Sequence, residues 1–298
     1  MYDVIIVGGG PAGLSAALIL GRCRRRVLLC DAGEPCSRAA DKVRGFLSDD
    51  GTPPDDMRRI SREQLAAYPN VEIRATSVTD AKRQDRGFEV TLSSGERASA
   101  RKLLLATGVI GELPAVEGAP AFCGRDLRDL PLAVCGSDED VHALELELTA
   151  WTRDLCTGGP SDLADEDRER LADRGSVVRE DRIARFESEG TRLSHVRFAD
   201  GDAVPRGGVF FLSYGEQASA LAERLECELH RTGAVETGCH EKTGERGFYV
   251  AGDASDASRH AQLAIVATAE GAMAAFAINM ELLKEDLKEG GRDPQQGR

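Results

Sequence analysis

The sequence predicts an α/β fold, a parallel sheet with helices on its faces. Three observations carry this. Residues 3–31 read strand, glycine-rich turn, helix and strand, ending in an acid. Two further apolar runs, Leu103 to Ala106 and Phe248 to Ala251, break off in Thr107-Gly108 and Gly252-Asp253. A second strand, turn and helix begins at Leu132. Short apolar runs alternating with helical patterns describe βαβ units, because parallel neighbours need a crossover connection.

Asp3-Val4-Ile5-Ile6-Val7 is a short apolar run and reads as a buried strand. Gly8-Gly9-Gly10-Pro11-Ala12-Gly13 follows it and satisfies G-x-G-x-x-G. In such a turn Gly8 permits the tight bend, Gly10 lets a pyrophosphate approach the backbone, and Gly13 lets helix pack close to strand. Pro11 and Ala12 open the helix, whose free N–H groups and partial positive charge suit that anion. Leu14 to Gly21 continues it. Arg26 to Cys30 is the second strand, and Asp31 stands 23 residues after Gly8, where an acid accepts a hydrogen bond from a ribose hydroxyl. Pro53 to Tyr68 reads as a helix. Phe88, Val90 and Leu92 alternate inward ahead of Ser94-Gly95, which makes Gly87 to Arg101 a hairpin. His260 to Met280 reads as a long Ala-rich helix.

Taken together these motifs resemble the two-dinucleotide-domain flavoproteins, specifically the low-molecular-weight thioredoxin reductase-like group. The resemblance covers nearly the whole chain. It implies FAD held by Gly8, Gly10, Pro11, Ala12, Gly13, Asp31, Ala32 and Gly33. Thr107-Gly108 then closes the first half of the FAD domain, Gly252-Asp253 contacts the ribityl chain, and Gln262-Leu263 forms the flavin-facing turn. The implied architecture is two Rossmann-like three-layer dinucleotide-binding domains. The FAD domain is discontinuous, 1–115 and 235–298, and encloses an NAD(P)H-binding-like domain at 116–234. A homodimer is implied as well. The loop from Glu34 to Pro54 starts beside the flavin and carries Cys36, and His260 lies close before Gln262. These two are the candidate catalytic side chains, a thiol and a proton donor titrating near neutral pH. A loop thiol without chemistry and a surface or capping histidine are the open alternatives.

The middle segment departs from the family pattern. Leu132-Ala133-Val134-Cys135 enters the turn Gly136-Ser137-Asp138-Glu139-Asp140-Val141, which keeps the first glycine but puts Asp138 and Val141 where the other two belong. Three carboxylates oppose a pyrophosphate, and a side chain at the second glycine blocks close approach. The strand leading into Thr157-Gly158-Gly159 offers neither an acid for a ribose diol nor an arginine cluster for a 2′-phosphate. Disulfide-reducing members carry a Cys-x-x-Cys just before this turn, whereas here that stretch has Cys123 alone. A single thiol cannot cycle between dithiol and disulfide within one chain. Cys123 and Cys135, twelve residues apart, are a conceivable but unsupported pair.

Composition closes off other classes. The 298 residues are 41% hydrophobic and 30% charged, a globular balance, with a net charge of −13 that argues against nucleic acid. No run approaches the ~18 apolar residues of a membrane helix, and the N-terminus passes straight into the first strand without a basic leader. The eight cysteines therefore read as reduced thiols of a cytoplasmic protein. Five histidines form no metal-ligand spacing with them. The expected function is an FAD-dependent oxidoreductase without a dithiol relay, serving a small-molecule or protein redox partner. A non-catalytic FAD-binding module and an NAD(P)H-dependent thioredoxin reductase-like enzyme are the alternatives.

Overall fold

The computed structural model describes residues 1–33, 40–110, 116–117, 127–135, 139–152, 155–158, 164–189, 192–211, 216–230, 232–256 and 262–288. The chain divides into two compact units, Met1–Gly111 with Tyr214–Arg298, and Glu112–Ser213.

The first unit begins with β1 (Tyr2–Val7), α1 (Pro11–Arg22) and β2 (Val27–Cys30). Then come α2 (Pro54–Leu65), β3 (Val71–Arg74) and a meander of β4 (Val78–Gln84), β5 (Gly87–Leu92) and β6 (Arg97–Leu105), with β7 (Val109–Ile110) closing this half. In the second unit β8 (Leu132–Cys135), α3 (Glu139–Leu148) and β9 (Leu155–Gly158) repeat the βαβ entry, followed by α4 (Asp165–Asp173). Strands β10 (Ile183–Glu189), β11 (Arg192–Phe198) and β12 (Ala203–Pro205) form an antiparallel sheet, and β13 (Gly208–Phe211) returns parallel to β8. The chain re-enters the first unit with β14 (Glu216–Gln217), α5 (Leu221–Arg224), a 3₁₀ turn at Cys239–Glu241, β15 (Phe248–Val250) and α6 (Ala264–Lys288).

That return comes earlier than residue 235. β14 pairs with β7, and Leu221, Ala222 and Leu225 are buried in a core they share with Phe88, Val90 and Phe248. The stretch from β14 through α5 therefore packs with the first unit. It carries no glycine-turn signal, which is why its allegiance was hidden in the sequence.

The sheet of the first unit runs β3-β2-β1-β6, all parallel, with β15 also parallel on β6. β6 is nine residues long, so its first half pairs with β5 and its second half with β15. Strand alternation makes three layers. Val4, Ile6, Val27, Leu29 and Leu104 face a layer made by α1 and α6, while Ile5, Val7, Leu28, Leu103 and Leu105 face the meander and α5. α6 is long and apolar enough to cross a membrane by length and composition, with a mean hydropathy of 1.3 over its best 18-residue window. It is not an unbroken apolar run, since Thr268, Glu270 and Asn279 interrupt it. Its Ala274, Ala275, Ile278 and Leu282 are buried against Ala16, Ala17 and Leu20 of α1, which accounts for its apolarity as a core helix.

Register positions the site. Val7 pairs with Cys30 and with Leu105, and Leu105 pairs with Val250. Four strands end level, so the four turns that follow them open on one edge of the sheet. In open parallel sheets that carboxyl edge is where ligands bind.

Candidate functional site

Each turn at this edge has a distinct local cause. Gly8 stands at φ +111°, and a Cβ there would lie 2.1 Å from Ala106 O, so the β1–α1 turn presses directly on the end of β6. A Cβ at Gly13 would lie 1.9 Å from Gly8 O, which is the close helix–strand contact the third glycine exists to allow. Gly10 differs from both, since a Cβ there would meet nothing within 4 Å. It caps α1 in extended conformation with Pro11 at the first helical position, and no side chain caps the first N–H groups of the helix among the described residues. That is a cradle for an anion. At the Gly8 side of this turn, Thr107 Oγ1 is buried without a hydrogen-bond partner among the described residues. An orphaned buried hydroxyl on a ligand-binding edge fits a group that arrives with the cofactor. These two observations fit a bound dinucleotide.

The Gly252 turn is tied to α6. Gly252 N–H donates to Glu270 Oε2 at 2.7 Å, and Ser255 Oγ to the same oxygen at 3.3 Å. Gly271 brings α6 onto the start of α1, where a Cβ would lie 2.0 Å from Ala12 O. The turns at Gly8–Gly13, Ala106–Gly108 and Gly252–Asp253 are thus locked together by backbone proximity. Glu241, on the 3₁₀ turn, is buried, and its Oε2 has no hydrogen-bond partner among the described residues. Burial, then the Glu270 and Asp256 carboxylates, push its carboxyl up to about 7. Gln262 and Leu263 are exposed, immediately ahead of α6.

Asp31 departs from the expected free ribose acceptor. It is buried at the end of β2, and its Oδ2 is engaged by Arg58 and Arg62 from α2. Its Oδ1 accepts the Gly33 N–H at 2.9 Å. Burial alone would raise its pKa, but the Gly33 N–H and the two guanidiniums outweigh it and hold the carboxyl below the usual range. Sequence reading missed this arginine pair, although its i, i+4 spacing on one helix face was a usable signal. It also missed Glu270 and Glu241, whose roles depend on tertiary approach.

Cys36, Cys123 and His260 lie outside the described residues, as do Gly136 to Asp138 and the side chains of Glu139 and Asp140. The described cysteines 23, 30, 135, 156, 227 and 239 form no disulfide with one another. Burial pushes Cys30 and Cys227 up to about 11, and drives Cys135 upward too, so none of these three is a ready thiolate. The described residues contain no group of three His, Cys, Asp or Glu side chains that could hold a metal ion.

Residues 2–143 match the family model described as pyridine nucleotide-disulphide oxidoreductase. An oxidoreductase from Agrobacterium tumefaciens superposes with a TM-score of 0.86 at 31% identity, covering 95% of this chain and 99% of that one. The chain belongs to the thioredoxin reductase-like FAD oxidoreductase family. A probable thioredoxin reductase of Arthroderma benhamiae is 34% identical over 171 residues, 52% of this chain and 42% of the relative. The thioredoxin reductase aclT of Aspergillus oryzae is 26% identical, with 94% of each chain covered. Matches to the first two curated relatives of this family span only 42% and 40% of their length.

Proposed function

We propose that this protein is an FAD-dependent oxidoreductase that works without a Cys-x-x-Cys relay and without efficient use of NADH or NADPH. The observation that supports it most is the shared sheet edge, where the open cradle at Gly10 adjoins the orphaned hydroxyl of Thr107. When bound, FAD would supply the redox chemistry, and the protein supplies binding, orientation and electrostatics. Gly8, Gly10 and the start of α1 would hold the pyrophosphate with backbone N–H groups. Asp31, Ala32 and Gly33 would receive the adenosine ribose. Thr107 Oγ1 would find its missing partner in the cofactor, with Gly108 permitting the turn. Gly252 and Asp253 would meet the ribityl chain, and Gln262-Leu263 would border the flavin. In place of a dithiol relay, a small-molecule or protein redox partner or an external donor would exchange electrons with the site. Cys36 and His260 are the side chains we assign to the flavin's surroundings. Buried cysteines without disulfides suit a cytoplasmic setting, and the outer face of α6 suits a homodimer.

The purified protein is expected to be yellow and to release FAD on denaturation, identified by chromatography against FMN. A colourless protein that also refuses added FAD overturns the reading.

A further inference from the structure

Arg58 and Arg62 leave the same face of α2 and converge on one carboxylate. Arg58 Nη2 lies 3.3 Å from Asp31 Oδ2, and Arg62 Nη2 contacts the same oxygen. The cluster sits against the glycine turn, because a Cβ at Gly9 would be 2.2 Å from that Oδ2. Among the described residues, two guanidiniums here share one buried carboxylate. Asp55, 3.7 Å from Arg58 Nη1, is 91% exposed, so water screens its contribution. Each arginine also keeps a buried Nε–H with no acceptor among the described residues. A guanidinium offers five donors and no acceptor, and leaving one buried and unpaired is costly. An ion pair serving only to brace the fold would have no reason to leave surplus cation and surplus donors beside a nucleotide turn.

We infer that Arg58 and Arg62 are specificity residues that select the adenosine half of the cofactor. This rests on the FAD reading above. Asp31, held ionised and fixed by its three donors, has lone-pair capacity left for a ribose hydroxyl. The arginines add what a lone acid lacks. Their free N–H donors suit the ring-nitrogen and ribose-oxygen acceptors of adenosine, and their planar heads stack on a purine face. The site therefore distinguishes a flavin dinucleotide from a flavin mononucleotide by contacts far from the flavin ring.

The cofactor-stripped full chain is titrated with three probes: FAD, FMN, which has the flavin without adenosine, and ADP-ribose, which has the adenosine without the flavin. Arg62→Ala is expected to weaken FAD and ADP-ribose on the order of tenfold, the scale of one charge-assisted hydrogen bond, and to leave FMN within about twofold. Arg58→Ala should give the same pattern. Arg62→Lys should recover part of the loss, since it restores charge without the planar fork. Thermal melting of each stripped variant reports on folding, and if Arg62→Ala does not fold, Arg62→Gln carries the comparison. Unchanged affinity for FAD and ADP-ribose, or an equal loss for FMN, overturns the inference. A wild type that binds none of the three probes overturns the FAD reading itself, whereas a wild type that binds FAD beside an unaffected Arg62→Ala overturns only the role of α2.

Discussion

A side chain added at Gly10 and one added at Gly13 meet opposite fates. At Gly10 it points into open space, so Gly10→Glu folds; a carboxylate at a helix N-terminus even favours the helix. It stands where the pyrophosphate belongs, and FAD affinity should fall on the order of a hundredfold, ~3 kcal/mol, the scale of a badly matched buried charge. At Gly13 the clash is with backbone, Gly8 O at 1.9 Å, so Gly13→Ala should lower the melting temperature of the stripped chain itself. Flavin titration beside thermal melting separates the two effects, and a normal affinity in Gly10→Glu would remove the anion cradle from the account. Glu241 gives a pH prediction. Its carboxyl is raised from 4.5 to about 7 by burial and by Glu270 and Asp256, so the folded chain keeps a proton that the unfolded chain releases. Stability then falls as pH rises from about 4.5 to about 7 and stays reduced above that. Glu241→Gln abolishes this titration. It should raise the melting temperature at pH 8 by several degrees and change it little at pH 4. Parallel melting profiles for both proteins would refute the assignment. The glycines and Asp31 could be read from sequence because their roles are fixed by local spacing. Glu241 could not, since nothing near it in sequence reveals Glu270 and Asp256 across the fold.

Helix α6 has two apolar faces for two reasons. One packs on α1 and accounts for the alanines and Gly271. The other is exposed: Met273, Phe276, Met280, Leu283 and Leu287 follow a 4-3 spacing along its outer side. That spacing is the seam by which helices pair. Its far end is anchored to the sheet by Lys102, 3% exposed, whose Nζ lies 2.6 Å from Glu285 and 3.2 Å from Glu281. The outer stripe is thus held rigid rather than free to fold inward. We expect twice the chain mass by light scattering at micromolar concentration, and the monomer mass for Phe276→Glu. Phe276 is 57% exposed, so that substitution should leave the melting temperature of the chain close to wild type at low concentration. A wild-type monomer would reject this use of the stripe. The sequence marked α6 as long, Ala-rich and apolar, but placed its start at His260 rather than Ala264. No cap residue marks the start, and a run apolar on both faces gives no phase from which burial can be assigned.

The two units repeat one plan with unequal equipment. Both open with strand, turn and helix, and the parallel pairings β1–β2 and β8–β9 are equivalent in layout. The plan was legible because it is written in short-range pattern. The point of return to the first unit was not, because it depends on which core receives Leu221 and Ala222. The difference in equipment carries our proposal about the electron donor. The first turn keeps all three glycines, whereas Gly136 is followed by Ser137, Asp138, Glu139, Asp140 and Val141. In the reading we propose, those carboxylates would repel a pyrophosphate, and Thr157-Gly158 at the end of β9 bring neither an acid nor an arginine. NADH and NADPH are therefore expected to bleach the bound flavin slowly or not at all in anaerobic stopped-flow, and neither should support insulin-coupled thioredoxin reduction. A chemical reductant should still bleach it, because the FAD-side turns are intact. Fast, saturable bleaching by NADPH at micromolar concentration would mean that the second unit binds nucleotide by other groups. Thioredoxin turnover lost in Cys123→Ser or Cys135→Ser would reveal a relay of unusual spacing. If chemical reductant bleaches the flavin while every biological donor class fails, the protein is better described as a non-catalytic FAD-binding module, in which the repeated plan survives as scaffold.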